Sequence, residues 1–154
     1  MASKTTWYIV AAIIVIVIII AGVLIYLYRP GSSGGTTLSG TNINIYGAEY
    51  GFGASASSII SPGPTMELQS GQSVTVTFHN VGTVAHNWAI VTAKTDGNTN
   101  LAFSGAQIAS ASSPVAAGSS QSVTFTVGSA GTYYYICQVD GHVSLGMWGT
   151  VTVT

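Results

Sequence analysis

The stretch Ser73-Val-Thr-Val-Thr-Phe-His-Asn80 alternates polar and apolar residues from Ser73 to His79, and Gln121-Ser-Val-Thr-Phe-Thr-Val127 nearly repeats the pattern. A period of two places Val74, Val76 and Phe78 on one face and Thr75, Thr77 and His79 on the other, which describes a half-buried strand and excludes an amphipathic helix. Two strands of similar burial account for the echo, since nothing recurs at a fixed repeat period. Asn42–Tyr46 shares this alternation, and Val84–Val91, the aromatic-rich Gly131–Ile136 and Gly149–Thr154 read as further strands, with Ser61-Pro-Gly-Pro64 as a turn or edge and Glu67–Gln72 as a strand end and turn. Residues 94–118 hold no sustained period and read as a long connection with a helical turn. Seven or eight short strands predict an all-β fold, a Greek-key β-sandwich or small barrel over residues 42–154.

The amino-terminal part has different physics. Trp7 to Tyr28 is an uncharged run of 22 residues flanked by Lys4 and Arg29. At ~1.5 Å per residue such a helix crosses a hydrocarbon core of ~30 Å. Trp7 and Tyr8 at one end and Tyr26 and Tyr28 at the other stand where interfacial aromatic anchors belong. The run is longer than the ~7–15 residue core of a cleaved signal peptide, so an uncleaved anchor over residues 1–29 is expected. Lys4 and the terminal amine outweigh Arg29, which puts the amino terminus inside and the domain on the extracytoplasmic side of the cell membrane. Residues 30–41, rich in Gly and Ser, read as a flexible linker.

Charge narrows the function classes. Charged residues are 5% of the chain, and beyond residue 29 one lysine, Lys94, faces Glu49, Glu67, Asp96 and Asp140, a formal −3. No basic patch exists for nucleic acid. With few carboxylates to protonate, acid should disturb few native charge interactions.

The chemistry concentrates in Cys137-Gln-Val-Asp-Gly-His142-Val-Ser-Leu-Gly-Met147, which holds the only cysteine and spaces it evenly from a histidine and a methionine. A single cysteine makes no intramolecular disulfide, so this thiol is inert, reactive or a ligand. Thiolate, imidazole and thioether suit copper better than magnesium or calcium. A trigonal copper site needs a second imidazole, and His79 and His86 are the other histidines. His79 lies opposite the apolar set of its strand. His86 follows the turn-like Asn80–Ala85 at the start of an apolar strand, where a site can open, so His86, Cys137, His142 and Met147 form the expected metal set. Zinc is disfavoured, because methionine is a poor zinc ligand.

Val84-Ala-His-Asn-Trp-Ala-Ile-Val91 together with Gly131-Thr-Tyr-Tyr-Tyr-Ile-Cys137 and the loop to Gly149 resembles the type 1 blue copper proteins, or cupredoxins, and within them the auracyanin, rusticyanin and sulfocyanin groups. The resemblance covers roughly residues 60–154. It implies one copper ion cycling between two oxidation states, a role for Asn87 in pinning the ligand loop, and His142 as the electron port beside Val139, Val143 and Leu145. Trp148 is expected in the apolar shell of the site. Asp140 departs from relatives, which often carry proline before the Gly-His pair.

The resulting expectation is a membrane-anchored one-electron carrier, not an enzyme, serving redox protein partners such as a membrane oxidase or a quinol-oxidising complex. Copper-containing oxidases and nitrite reductases need more histidines than three, and a dinuclear centre needs two cysteines. Copper storage or delivery and a metal-free surface sandwich are the alternatives. The former usually uses exposed Met or Cys clusters.

Overall fold

A computed structural model describes residues 36–154; the expected anchor and the start of the expected linker lie outside them. Among the described residues no helix is long and apolar enough to cross a membrane.

Among the described residues eleven strands follow one another: β1 (Leu38–Ser39), β2 (Asn42–Ala48), β3 (Gly51–Gly53), β4 (Ile59–Ile60), β5 (Met66–Leu68), β6 (Ser73–Asn80), β7 (Trp88–Val91), β8 (Gln107–Ile108), β9 (Ser120–Thr126), β10 (Gly131–Ile136) and β11 (Trp148–Val153). They form two sheets, one of order β1-β5-β11-β10-β7-β8 and one of order β4-β3-β2-β6-β9. Most neighbours are antiparallel, but β1 and β11 run parallel to β5, and β2 runs parallel to β6.

The alternation of β6 is realised as its residues dictate. Val74, Val76 and Phe78 are fully buried. On the opposite face Thr75 and Thr77 hydrogen-bond the hydroxyls of Thr124 and Ser122, each at 2.8 Å. His79 joins this polar face: its ring nitrogens meet Ser120 Oγ at 2.7 Å and Asn44 Oδ1 at 2.9 Å, and the ring stacks on Tyr46. Between the sheets lies a core that includes Phe52, Phe78, Trp88, Phe125 and Tyr135. The Tyr135 ring crosses Gly149, where a Cβ would lie 2.1 Å from Cζ, so only glycine lets β11 pass this ring. A second, outer cluster gathers Ala89, Val91, Ile136 and Val143 with Leu101, Tyr134 and Trp148.

Three details differ from the sequence reading. The domain starts before residue 42, because Leu38, the one large apolar side chain of the Gly/Ser stretch, is buried and its strand pairs with β5. Residues 94–118 contain no helical turn but the short β8, which pairs with β7 through Trp88↔Ile108. The regular part of the Val84–Val91 strand begins at Trp88, since the segment before it is drawn into a loop.

Candidate metal centre

Two loops at one end of the sandwich supply the chemistry. The first leaves β6 at Asn80. This buried amide donates to Val84 O at 2.8 Å and Val115 O at 2.9 Å and accepts from Gly82 N, folding residues 80–84 into a fixed turn. Glu49 caps the same turn by accepting from the Thr83 amide and, at 2.7 Å, its hydroxyl. These bonds hold the exposed Glu49 carboxyl down at about 2. His86 is then locked by reciprocal backbone bonds with Val115, at 3.1 and 2.8 Å, and is completely buried.

The second loop runs between β10 and β11. Cys137 N donates to Met147 O at 3.1 Å and Met147 N to His142 O at 2.9 Å, so backbone bonds tie the three expected donors of the loop to one another. Gly141 adopts a left-handed φ of 78°, which gives the chain its turn into His142 directly after the exposed Asp140.

Side chains of both loops converge. His86 Nδ1 and His142 Nδ1 are 3.2 Å apart, and Cys137 Sγ lies 3.3 Å from His142 Nδ1 and 3.9 Å from His86 Nδ1. A trigonal ion with metal–nitrogen bonds of about 2.0–2.1 Å and a metal–sulfur bond of about 2.3 Å would separate its nitrogens by ~3.6 Å and nitrogen from sulfur by ~3.8 Å. The observed triangle is close to that size. Met147 is fully buried in the core that also contains Cys137, and its Cε lies 3.1 Å from where a Cβ on Gly47 would stand. His79 is held in its polar face, away from this group.

Electrostatics fit the same ion. Burial pushes His86 down to about 4, with the neighbouring His142 adding to the effect, so the imidazole is a neutral donor at ordinary pH. Burial also lowers His142, against a smaller opposing pull from Asp96. The Cys137 thiol is pushed up by burial, so the thiolate needs a cation beside it. His86 Nε2 is buried without a hydrogen-bond partner, which leaves the ring's interactions to Nδ1 and the donor group.

The surroundings of the sulfur are polar and ordered. Asn87 donates its backbone N–H to Cys137 Sγ at 3.5 Å, accepts from Gln138 N at 2.6 Å through Oδ1, and donates through Nδ2 to Gln138 Oε1 at 2.7 Å. Asn87 thus clips the two loops together across the site. Gln138, Asn80 and Asn98, missed by sequence reasoning, complete this buried amide set. Their one local signal is an amide directly after the cysteine and another at the end of β6. Trp148 packs in the outer cluster, whereas Cys137 and Met147 sit in the central core, so its ring does not share their side of the sheet. Val143 is also turned inward, at 7% exposure, because it fills the outer cluster against Ile136 and Ala89. Of the apolar residues expected beside His142, Leu145 is the exposed one, at 57%. Tyr50 lies edge-on to the His142 ring, 5.1 Å between centroids, and is also exposed.

Comparison with known proteins agrees with this geometry. Residues 63–154 match the family model of copper binding proteins of the plastocyanin/azurin family. Auracyanin-A of Chloroflexus aurantiacus is 36% identical over 103 residues, covering 57% of this chain and 63% of that protein, so the match spans just under two thirds of the relative's length. Among solved structures, dithionite-reduced auracyanin from Roseiflexus castenholzii superposes with a TM-score of 0.58 at 24% identity, over 75% of this chain and 98% of that one. A rusticyanin variant gives a TM-score of 0.58 at 28% identity, over 79% and 84%. The chain belongs to the plastocyanin/azurin family of copper binding proteins, as a type 1 blue copper protein whose cofactor is one copper ion.

Proposed function

We propose that this protein is a membrane-anchored carrier of single electrons between respiratory or photosynthetic complexes, in which His86, Cys137, His142 and Met147 would hold the copper ion. Copper supplies the one-electron couple between its two oxidation states. The protein's part is to hold neutral imidazoles and a thioether in a buried setting that favours the reduced ion. The observation that carries the reading is the triangle of two Nδ1 atoms and one Sγ, 3.2 to 3.9 Å on a side, fixed by backbone bonds in both loops. Donors held this firmly need little rearrangement when charge arrives. Such rigidity suits transfer rather than storage or delivery, which depend on easy release.

His142, half-buried beside Tyr50 and Leu145, is the electron port. A small apolar rim suits brief docking, since redox encounters bury little area. The uncharged run from Trp7 to Tyr28 supports a single-pass anchor with the copper domain on the extracytoplasmic side and redox complexes of the membrane as partners.

Cu(II) titration of the purified protein tests the core of this proposal. An intense visible band from the copper–thiolate bond and a reversible one-electron wave are expected. A colourless protein without a redox couple would overturn it. Recovery of the full chain from the aqueous rather than the membrane fraction would overturn the anchor.

A further inference from the structure

The three donors of the second loop are five residues apart, at 137, 142 and 147, and the residue directly after each one is gripped from outside. Gln138 donates Nε2 to Asn98 O at 2.9 Å. The amides of Val143 and Ser144 donate to Asp96 Oδ1 at 2.9 and 3.2 Å, and the Ser144 hydroxyl donates to Oδ2. Trp148 receives Lys94, whose Nζ stands 3.3 Å from the ring centroid and 5.8 Å from that of Tyr134. The grips come from alternate residues of one short turn, 98, 96 and 94, in reverse order along the loop.

The turn can bear such a load. Asn98 closes it from within, through N to Thr95 O at 3.2 Å and Nδ2 to Ala93 O at 2.6 Å, while Asn100 N returns to Asn98 Oδ1 at 2.9 Å. It grows from β7, which is paired with β10, so it is rooted in the sheet from which Cys137 emerges. Among the five charged side chains beyond residue 29, Lys94 and Asp96 both serve this turn. The carboxylate forms charge-assisted bonds to two consecutive backbone amides, the stronger kind of hydrogen bond. At its inner end the connection continues from Asn98 through Gln138 and Asn87 to the cysteine sulfur.

We propose that residues 94–98 form a brace for the copper loop, with Lys94, Asp96 and Asn98 as positioning residues that hold the residue one step beyond each donor, Asp96 by its backbone and Lys94 and Asn98 by its side chain. This rests on the copper-carrier reading above for its purpose, not for its geometry. Each arm restrains a different donor, so together they limit how far the loop opens when the ion changes charge or leaves.

The test uses the full chain with D96A, D96N, K94M and S144A, and with E67Q on β5 as a control carboxylate. In the copper-free protein, amide hydrogen exchange of residues 138–148 in D96A should rise about tenfold or more at Val143 and Ser144 while β6 and β9 stay protected. In the loaded protein, copper should pass to a chelator about tenfold faster than from wild type, the low end of the effect of such supporting groups because Asp96 is at the surface. K94M should loosen exchange at Trp148, and D96A/S144A should be no worse than D96A, since both remove one contact. D96N, which keeps the shape and half of the acceptor capacity, should fall between D96A and wild type and keeps the test open if D96A fails to fold. Unchanged loop exchange in D96A and K94M would overturn the brace, as would an equal loss of protection in loop and strands. A wild-type protein that takes up no copper would refute the carrier reading, while the exchange measurement would still decide the brace.

Discussion

Replacing Asn87 by alanine cuts the clip between the two ligand loops, and the cost follows from what is left behind. Gln138 loses the acceptor for its backbone N–H at 2.6 Å and the donor for its Oε1 at 2.7 Å. Neither group can turn to water, because Gln138 is 2% exposed and its Nε2 stays tied to Asn98 O. Two buried polar groups without partners cost about 1–3 kcal/mol each, so a loss of about 3 kcal/mol is expected if water partly repairs the gap. Urea unfolding of the copper-free protein measures it directly, as a lowered midpoint with an unchanged slope. The backbone N–H of Asn87 that points at Cys137 Sγ survives the substitution. The visible band should therefore persist while copper is retained less well and the potential moves. A stability loss below about 1 kcal/mol, with potential and copper retention unchanged, would refute the clip.

Acid should act on the copper-free protein through His86 and, in the same direction, through His142, both lowered by burial. The pKa of His86 falls from 6.5 to about 4 on folding, so the unfolded chain binds the extra proton between those values and stability drops as pH falls from 6.5 to 4, by about 3 kcal/mol for this residue. Glu49, lowered to about 2, keeps its contribution until pH falls below 4.5 and loses it on the way to 2. A copper-free protein equally stable at pH 6.5 and 4 by denaturant titration would contradict the assignment of His86. Gly47→Ala should disturb the site without touching a donor, because the new Cβ would stand 2.6 Å from Phe78 Cε2 and 3.1 Å from Met147 Cε. A loss of about 1–3 kcal/mol with a shifted visible band is expected, and an unaltered spectrum would place the methionine elsewhere. Leu145→Asp should leave stability within about 0.5 kcal/mol and slow electron exchange with redox partners, whereas unchanged rates with every partner would move the port away from His142.

Local pattern decided what could be read in advance. The faces of β6 and β9 were legible because seven or eight consecutive residues repeat at the period of a strand. The two-residue β1, β4 and β8 carry no period at all, and only their partners define them. The donors of the second loop stood out through even spacing, and His86 through its place at a strand entrance. What held them there was not legible. Asp96 and Lys94 are ordinary surface residues in the sequence, and their partners lie about fifty residues further along. Val143 looked like part of an exposed rim because an irregular loop has no phase from which to read its inner side. Burial in such a loop is set by the neighbour it meets, here Ile136 and Ala89.

The hydroxyl ladder on the outer face of β6 and β9 bears on how the molecule meets its surroundings. Thr75–Thr124 and Thr77–Ser122 are neutral pairs, so neither proton concentration nor ionic strength acts on them directly. These two pairs are therefore indifferent to the medium, while Glu49, His86, Asp96, Cys137 and His142, whose protonation folding shifts, gather around the copper loops. A change of pH is expected to act on the copper end of the sandwich before it acts on these hydroxyl pairs.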